Sequence, residues 1–156
     1  MKKLISLALI AMLVLCLAAC GGKKESAAPA AEVKLGDVFA QFALGEEMMT
    51  LSQDDLLDMY GIAAADVKQF AGAVNTTGIK CDEIVLVEAV DSAAAGRVKE
   101  ALDNRYQQKL NEMDGYLPDE YAIVKECSVT ASGNFVAMIV GQNAQELTKI
   151  YEAALK

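Results

Sequence analysis

The apolar positions along this chain change their period several times, and each change marks a predicted element. Residues 83–90 (EIVLVEAV) are short, β-branched and apolar on both sides, which predicts a strand. From 92 to 113 the period lengthens. Val98, Ala101, Leu102, Tyr106, Leu110 and Met113 share one stripe, predicting a long helix capped by Asp91 or Ser92 and ending before Gly115. Residues 121–131 and 135–140 read as two strands of a hairpin turned at Ser132-Gly133-Asn134. Alternation there puts Ile123, Cys127 and Val129 on one face, interrupted by Lys125. A last helix starts at Asn143, with Glu146 at the capping-box position. Its stripe is Leu147, Ile150, Tyr151, Ala154 and Leu155.

Earlier segments are shorter. Leu35, Val38, Phe39 and Phe42 predict a helix within 33–44, ended by Gly45. A second helix over 51–60 has Ser52 as cap and Asp54 and Asp55 at its positive end. Asp54, Asp55 and Asp58 lack the alternating spacing and the glycine of a calcium loop, so they read as helix-start charges. Met48 and Met49 are expected to fill core gaps. Residues 66–75 fit a helix through Val67, Phe70, Ala71 and Val74, and equally a strand ending at the turn 75–78.

The pattern at the start is of another kind. Lys2 and Lys3 precede an apolar run over residues 4–17, and small residues lead to Cys20. A cationic start, an apolar core and a small-residue site are the parts of a secretory signal peptide. Leu17-Ala18-Ala19-Cys20 resembles a bacterial lipobox. That resemblance implies a diacylglycerol thioether on Cys20 and cleavage between Ala19 and Cys20. Two acyl chains give stable anchoring where one does not. Gly21-Gly22-Lys23-Lys24 cuts the run short of the about 20 apolar residues a spanning helix needs. The expected organisation is a lipoprotein signal peptide over 1–19, a lipidated cysteine and flexible tether over 20–32, and one extracytoplasmic domain over 33–156.

Composition then narrows the classes. Loss of Lys2 and Lys3 with the signal peptide leaves 12 Lys and Arg against 22 Asp and Glu, a formal charge of −10 where the whole chain has −8. This excludes the basic footprint of a nucleic-acid binder. The absence of histidine removes the usual general base and the commonest zinc ligand. No cofactor and no resident metal are expected, apart from the covalent lipid. Export permits a disulfide between Cys81 and Cys127; the other reading is two buried thiols. Arg105 falls inside the apolar stripe of the long helix. It must reach solvent or a local partner, or else bind an anion or a partner at the sheet edge.

Several short motifs recur in a familiar order. Tyr60-Gly61-Ile62, Asp82-Glu83-Ile84, Val98-Lys99-Glu100-Ala101-Leu102 leading to Arg105, Gly115-Tyr116-Leu117-Pro118 and Gly133-Asn134-Phe135-Val136 resemble the bacterial lipoproteins grouped as domain of unknown function 4358. The likeness runs from about Leu51 to Leu155. It implies an extracytoplasmic lipoprotein of Gram-positive type held on the cell membrane, and it favours a strand for 66–75. Larger residues usual in that strand are here Ala71, Gly72 and Ala73. It assigns no activity. With it, the order after the entry helices is β-β-α-β-β-α. The expected fold is α+β: a mainly antiparallel four-stranded sheet with two long helices on one face.

For function, the expectation is a non-catalytic lipoprotein bound to the membrane through its lipid and to an envelope protein. Tyr116 is a candidate contact because it lies in a loop, unless Tyr116 and Leu117 cap the core. A small-ligand or ion-binding lipoprotein of a transport system is the alternative, and Arg105 in a deep pocket would favour it. A carboxylate hydrolase ranks third. Glu46-Glu47 and Asp119-Glu120 are adjacent pairs, whereas glycosidase chemistry needs two carboxylates facing one cleft.

Overall fold

The computed structural model describes residues 32–156. The expected signal peptide, with Ala19, Cys20 and most of the expected tether, lies outside the described residues. Helix α1 (Leu35–Phe39) leads to strand β1 (Met48–Thr50), helix α2 (Gln53–Tyr60) and strand β2 (Val67–Asn75). Strand β3 (Glu83–Ala89) and the 22-residue helix α3 (Ser92–Met113) follow. Then come α4 (Pro118–Lys125), β4 (Ser128–Ser132), β5 (Phe135–Val140) and α5 (Ala144–Ala154).

Local chemistry accounts for the helix ends. Ser52 and Asp55 form a reciprocal capping box at α2: Ser52 N–H donates to Asp55 Oδ2 at 2.7 Å, and Asp55 N–H donates to Ser52 Oγ at 3.3 Å. Gly61, at φ 69°, turns the chain out of α2 in a left-handed cap, with Ile62 N–H returning to the Leu56 carbonyl at 2.9 Å. Asp91 caps α3 by accepting from Ala94 N–H at 2.8 Å. Asn143 stands at the N-cap of α5 as expected, but its side chain makes no capping bond.

The sheet is α+β in context and fully antiparallel, in the order β1-β2-β3-β5-β4. It has five strands where the sequence pattern led us to expect four. The additional one is β1, which takes in Met48 and Met49. These residues pair with Asn75 and Val74, and Met49 is exposed rather than core filler. Within residues 66–75, Val67–Asn75 form a strand, β2, and Asp66 closes the 3-10 turn before it.

The two long helices do not share a face. All seven residues of β3 are buried, so both sides of the sheet need cover. Val85, Val87 and Ala89 face a core built with Leu56, Val98, Leu102 and Val124 from α2, α3 and α4. Ile84 and Leu86 face a second core with Leu35 and Val38 of α1 and Leu147 and Tyr151 of α5. Three layers result, helices on each side of one sheet.

The expected strand over 121–131 is also corrected. Its first part is helix α4, and only Ser128–Ser132 is strand. Pro118 stands at the first helical position, Asp119 and Glu120 at the positive end, and Lys125 in the last turn. Val124 is buried beneath α3, and Tyr106 Oη lies 2.9 Å from each of the Val124 and Cys127 carbonyls, pinning the end of α4.

Candidate functional site

Two of the residues singled out above, Arg105 and Tyr116, come together at one end of the sheet, where β2 hands over to β3 and α3 runs out. Glu83 opens β3 on the α3 side and is completely buried. Arg105 and Lys109 stand one helical turn apart on α3 and both reach it. Arg105 donates from Nε to Oε1 and from Nη2 to Oε2, each at 2.8 Å, a bidentate pair. Lys109 Nζ lies 2.7 Å from Oε2. The third guanidinium nitrogen, Nη1, donates to Glu112 at 3.1 Å. Burial alone pushes the Glu83 carboxyl up, and the Arg105 bonds together with the Lys109 charge more than reverse this, holding it below the usual carboxylate range. The hydroxyl of Tyr60 is buried close to Glu83. Burial and the nearby Glu83 charge drive its pKa upward, so it stays protonated.

Beside this triad lies a second buried carboxylate. Glu120, from the first turn of α4, accepts from Lys80 Nζ at 2.8 Å and from Cys81 N–H at 2.9 Å. Ligand atoms of Cys81, Asp82 and Glu120 lie within 4.8 Å of one another. The chemistry of the set is poor for a cation. Both Glu120 oxygens are engaged, and burial, with Glu120 adding to it, pushes the Cys81 thiol up to about 12, so it is a neutral thiol rather than a thiolate ligand. Cys81 and Cys127 are both free thiols, the first buried and the second half-buried.

Between these groups is a cleft of about 330 Å³ lined by Asn75, Lys80, Arg105, Lys109, Tyr116 and Leu117. It brings together Arg105 and Tyr116, the two contacts singled out from sequence. Their roles separate. Arg105 is committed to Glu83 and Glu112, so it is a locally paired arginine. Leu117 packs against the core, while Tyr116 projects from it and is 73% exposed. Ile79, on the β2–β3 loop, is 58% exposed beside the lining residues Gly78 and Lys80. Ile79 was not singled out from the sequence. Its signal is a lone large apolar residue in a turn of Thr, Gly and Lys.

A cavity of about 700 Å³ lies elsewhere, between the end of α4 and the start of α5. Its lining includes Glu126, Glu146, Lys149 and Cys127, whose thiol donates to the Ile123 carbonyl at 3.2 Å and is pushed up by burial. The carboxylate pairs fail to share a cleft: Glu46, Glu47 and Asp119 are exposed, and Glu120 is buried in its ion pair. Among the described residues no helix is long and apolar enough to cross a membrane.

Residues 41–141 match the family described as Domain of unknown function (DUF4358). Neither a curated protein nor a solved structure matches the chain. The matched stretch contains all five strands, α2, α3 and α4, and with them Glu83, Arg105, Lys109, Tyr116 and Glu120. It stops short of α1 and α5, the two helices covering the other side of the sheet. The chain belongs to the DUF4358 family.

Proposed function

We propose that this protein is a lipid-anchored extracytoplasmic lipoprotein that works without catalysis, by docking an envelope protein against the Ile79–Tyr116 end of the domain. The observation that carries the reading is the exposed Tyr116 ring at the mouth of the 330 Å³ cleft, with Ile79 exposed nearby. An aromatic anchor beside a half-formed cavity, rimmed by Lys80 and Glu112, is the arrangement from which interface hot spots are built. Leu17-Ala18-Ala19-Cys20 supports the anchor. The partner's matching chemistry is an apolar pocket deep enough for a tyrosyl ring, bordered by polar groups.

The runner-up, a small-ligand or ion-binding lipoprotein of a transport system, takes its support from the clefts of about 330 and 420 Å³ on either side of Arg105. The guanidinium that would recognise an anion already has three donors engaged, which weighs against it. A carboxylate hydrolase has less support, since among the described residues each of these clefts has a single carboxylate in its lining, Glu112 in one and Glu100 in the other.

Cross-linking of the intact lipoprotein on living cells tests the proposal. Wild type is expected to remain with membranes and enrich one envelope protein. Cys20→Ala is expected in the soluble fraction. Tyr116→Ala combined with Ile79→Ser is expected to stay anchored and to lose roughly tenfold or more of the captured partner, the effect of removing a central anchor. Equal capture by this double variant would sink the docking surface. Membrane retention of Cys20→Ala would sink the anchor.

A further inference from the structure

The two edges of the sheet are treated differently. Strand β1 is three residues long and is preceded by Glu47 in a left-handed conformation, φ 61°. A short, kinked edge offers little to a foreign strand. Strand β4 (SVTAS) lies at the opposite edge and carries none of the usual protections. It has no charge, no proline and no register shift along its pairing with β5. The turn of Gly133 and Asn134 closes the hairpin on Ser132 and Phe135, so these form the hydrogen-bonded closing pair. By alternation Thr130 and Ser128 also direct their backbone groups at β5, leaving those of Val129 and Ala131 pointing outward. Among the described residues, no backbone bond outside the regular helices and strands involves residues 128–132.

We infer that this strand is a self-pairing edge: two copies align β4 with β4 antiparallel about Thr130, joining two five-stranded sheets into one of ten strands. The sequence is self-complementary in that register. The outward groups of Val129 meet those of Ala131 in the other copy, and the reverse. Thr130 stands opposite Thr130 at a non-hydrogen-bonded position, and Ser128 opposite Ser132. Side chains agree on both faces. Val129, which pairs with Met138, shares the α3 face with Ala131, while Ser128, Thr130 and Ser132 form a hydroxyl row on the other. Thr–Thr and Ser–Ser pairs across antiparallel strands are favourable. The chain is strongly acidic, so most surfaces repel a second copy. This edge has no charged residue to oppose its own image, and the residues before it, Lys125 and Glu126, have opposite signs. A two-fold axis is the commonest symmetry of homo-oligomers and satisfies this pairing. It goes beyond the docking surface, which uses other residues.

The register makes the test sharp. In the full-length chain carrying Cys127→Ala, single cysteines are placed by Thr130→Cys, Ser128→Cys and Ser132→Cys and mildly oxidised on cells. Directly opposed cysteines have Cβ atoms about 5 Å apart, while residue 128 and its own symmetry mate are roughly 14 Å apart. Thr130→Cys is expected to give at least about fivefold more covalent dimer than either serine variant alone, and a mixture of the two serine variants is expected to recover it. Sedimentation of the full chain in detergent is expected to show a concentration-dependent dimer that Thr130→Lys abolishes while circular dichroism keeps its shape. Equal cross-linking of all three cysteines, or a monomer at every concentration, overturns the inference and leaves the edge to a foreign strand.

Discussion

Glu83→Ala is expected to destabilise the domain by about 3–5 kcal/mol, because it leaves Arg105 and Lys109 buried without their shared counter-charge. At this size a loss of 3 kcal/mol lowers the melting temperature by roughly 10 °C. Glu112 gives the comparison. It also binds Arg105, yet its side chain is half exposed, so Glu112→Gln is expected to cost under about 1 kcal/mol. A change that removes both cations with the acid, Glu83→Leu with Arg105→Leu and Lys109→Met, is expected to recover most of the loss, since well-packed apolar groups replace a buried ion cluster at little cost. Thermal and urea unfolding of the three variants read this directly. A triple variant as unstable as Glu83→Ala would place the effect in packing, not charge.

The same residue fixes a pH response. Its folded-state pKa lies below the unfolded value. Its contribution is therefore fully present above the unfolded carboxylate value, about 4.3, and is lost as pH falls through the lower folded value. Wild type is expected to lose stability over that acid range more steeply than Glu83→Gln, which has no carboxyl to protonate at that position. Parallel acid titrations would reject Glu83 as the titrating group.

Much of this arrangement can be read along the chain, and the parts that cannot share a physical cause. Helix α3 occupies Ser92–Met113 and β5 Phe135–Val140, as their long or strongly patterned stretches predict. A three-residue strand has no period to detect, which hides β1. In α4 the alternation of Ile123 with its neighbours suggests a strand, but Pro118 followed by two acids is a helix start, and burial of Glu120 and Val124 four residues apart confirms which period governs. The placement of α5 was recoverable. A strand apolar on both faces, as β3 is, already requires helices on both. The site divides the same way. Arg105 stands out because a charge interrupts an apolar stripe, but its partner Glu83 lies 22 residues away at the head of a strand, and only the fold brings them together. Tyr116 and Leu117 look equivalent in sequence. The turn at Gly115, φ 71°, sends Leu117 to the core and Tyr116 outward.

Gly72→Ala is expected to be the costliest small change in the sheet, although adding a methyl group to a strand interior ordinarily helps by about 0.5–1 kcal/mol. Gly72 pairs with Val85 in the middle of the β2–β3 ladder. A Cβ there would overlap the Ile84 carbonyl oxygen and come within 2.9 Å of Leu51 Cδ1 and 3.3 Å of Val85 Cα. The leucine tip can swing away. The carbonyl belongs to a buried central strand held by neighbours on both sides, so relief requires separating β2 from β3. Overpacking of this kind costs about 1–3 kcal/mol, and a backbone contact puts Gly72→Ala at the upper end. Gly96 in α3 has open space where a methyl group would stand, so Gly96→Ala is expected to stabilise by about 0.5–1 kcal/mol. The pair is thus expected to move the unfolding midpoint in opposite directions. Adding Leu51→Ala to Gly72→Ala separates the two contacts: no recovery is expected, because the flexible one was not limiting. The consequence reaches the site. Strand β3 carries Glu83, and any displacement of β3 from β2 moves that carboxylate against Arg105 and Lys109. Amide exchange in Gly72→Ala is therefore expected to rise in β3 and at the end of α3 together. A neutral melt with unchanged exchange would mean that β2 and β3 do not meet in this register.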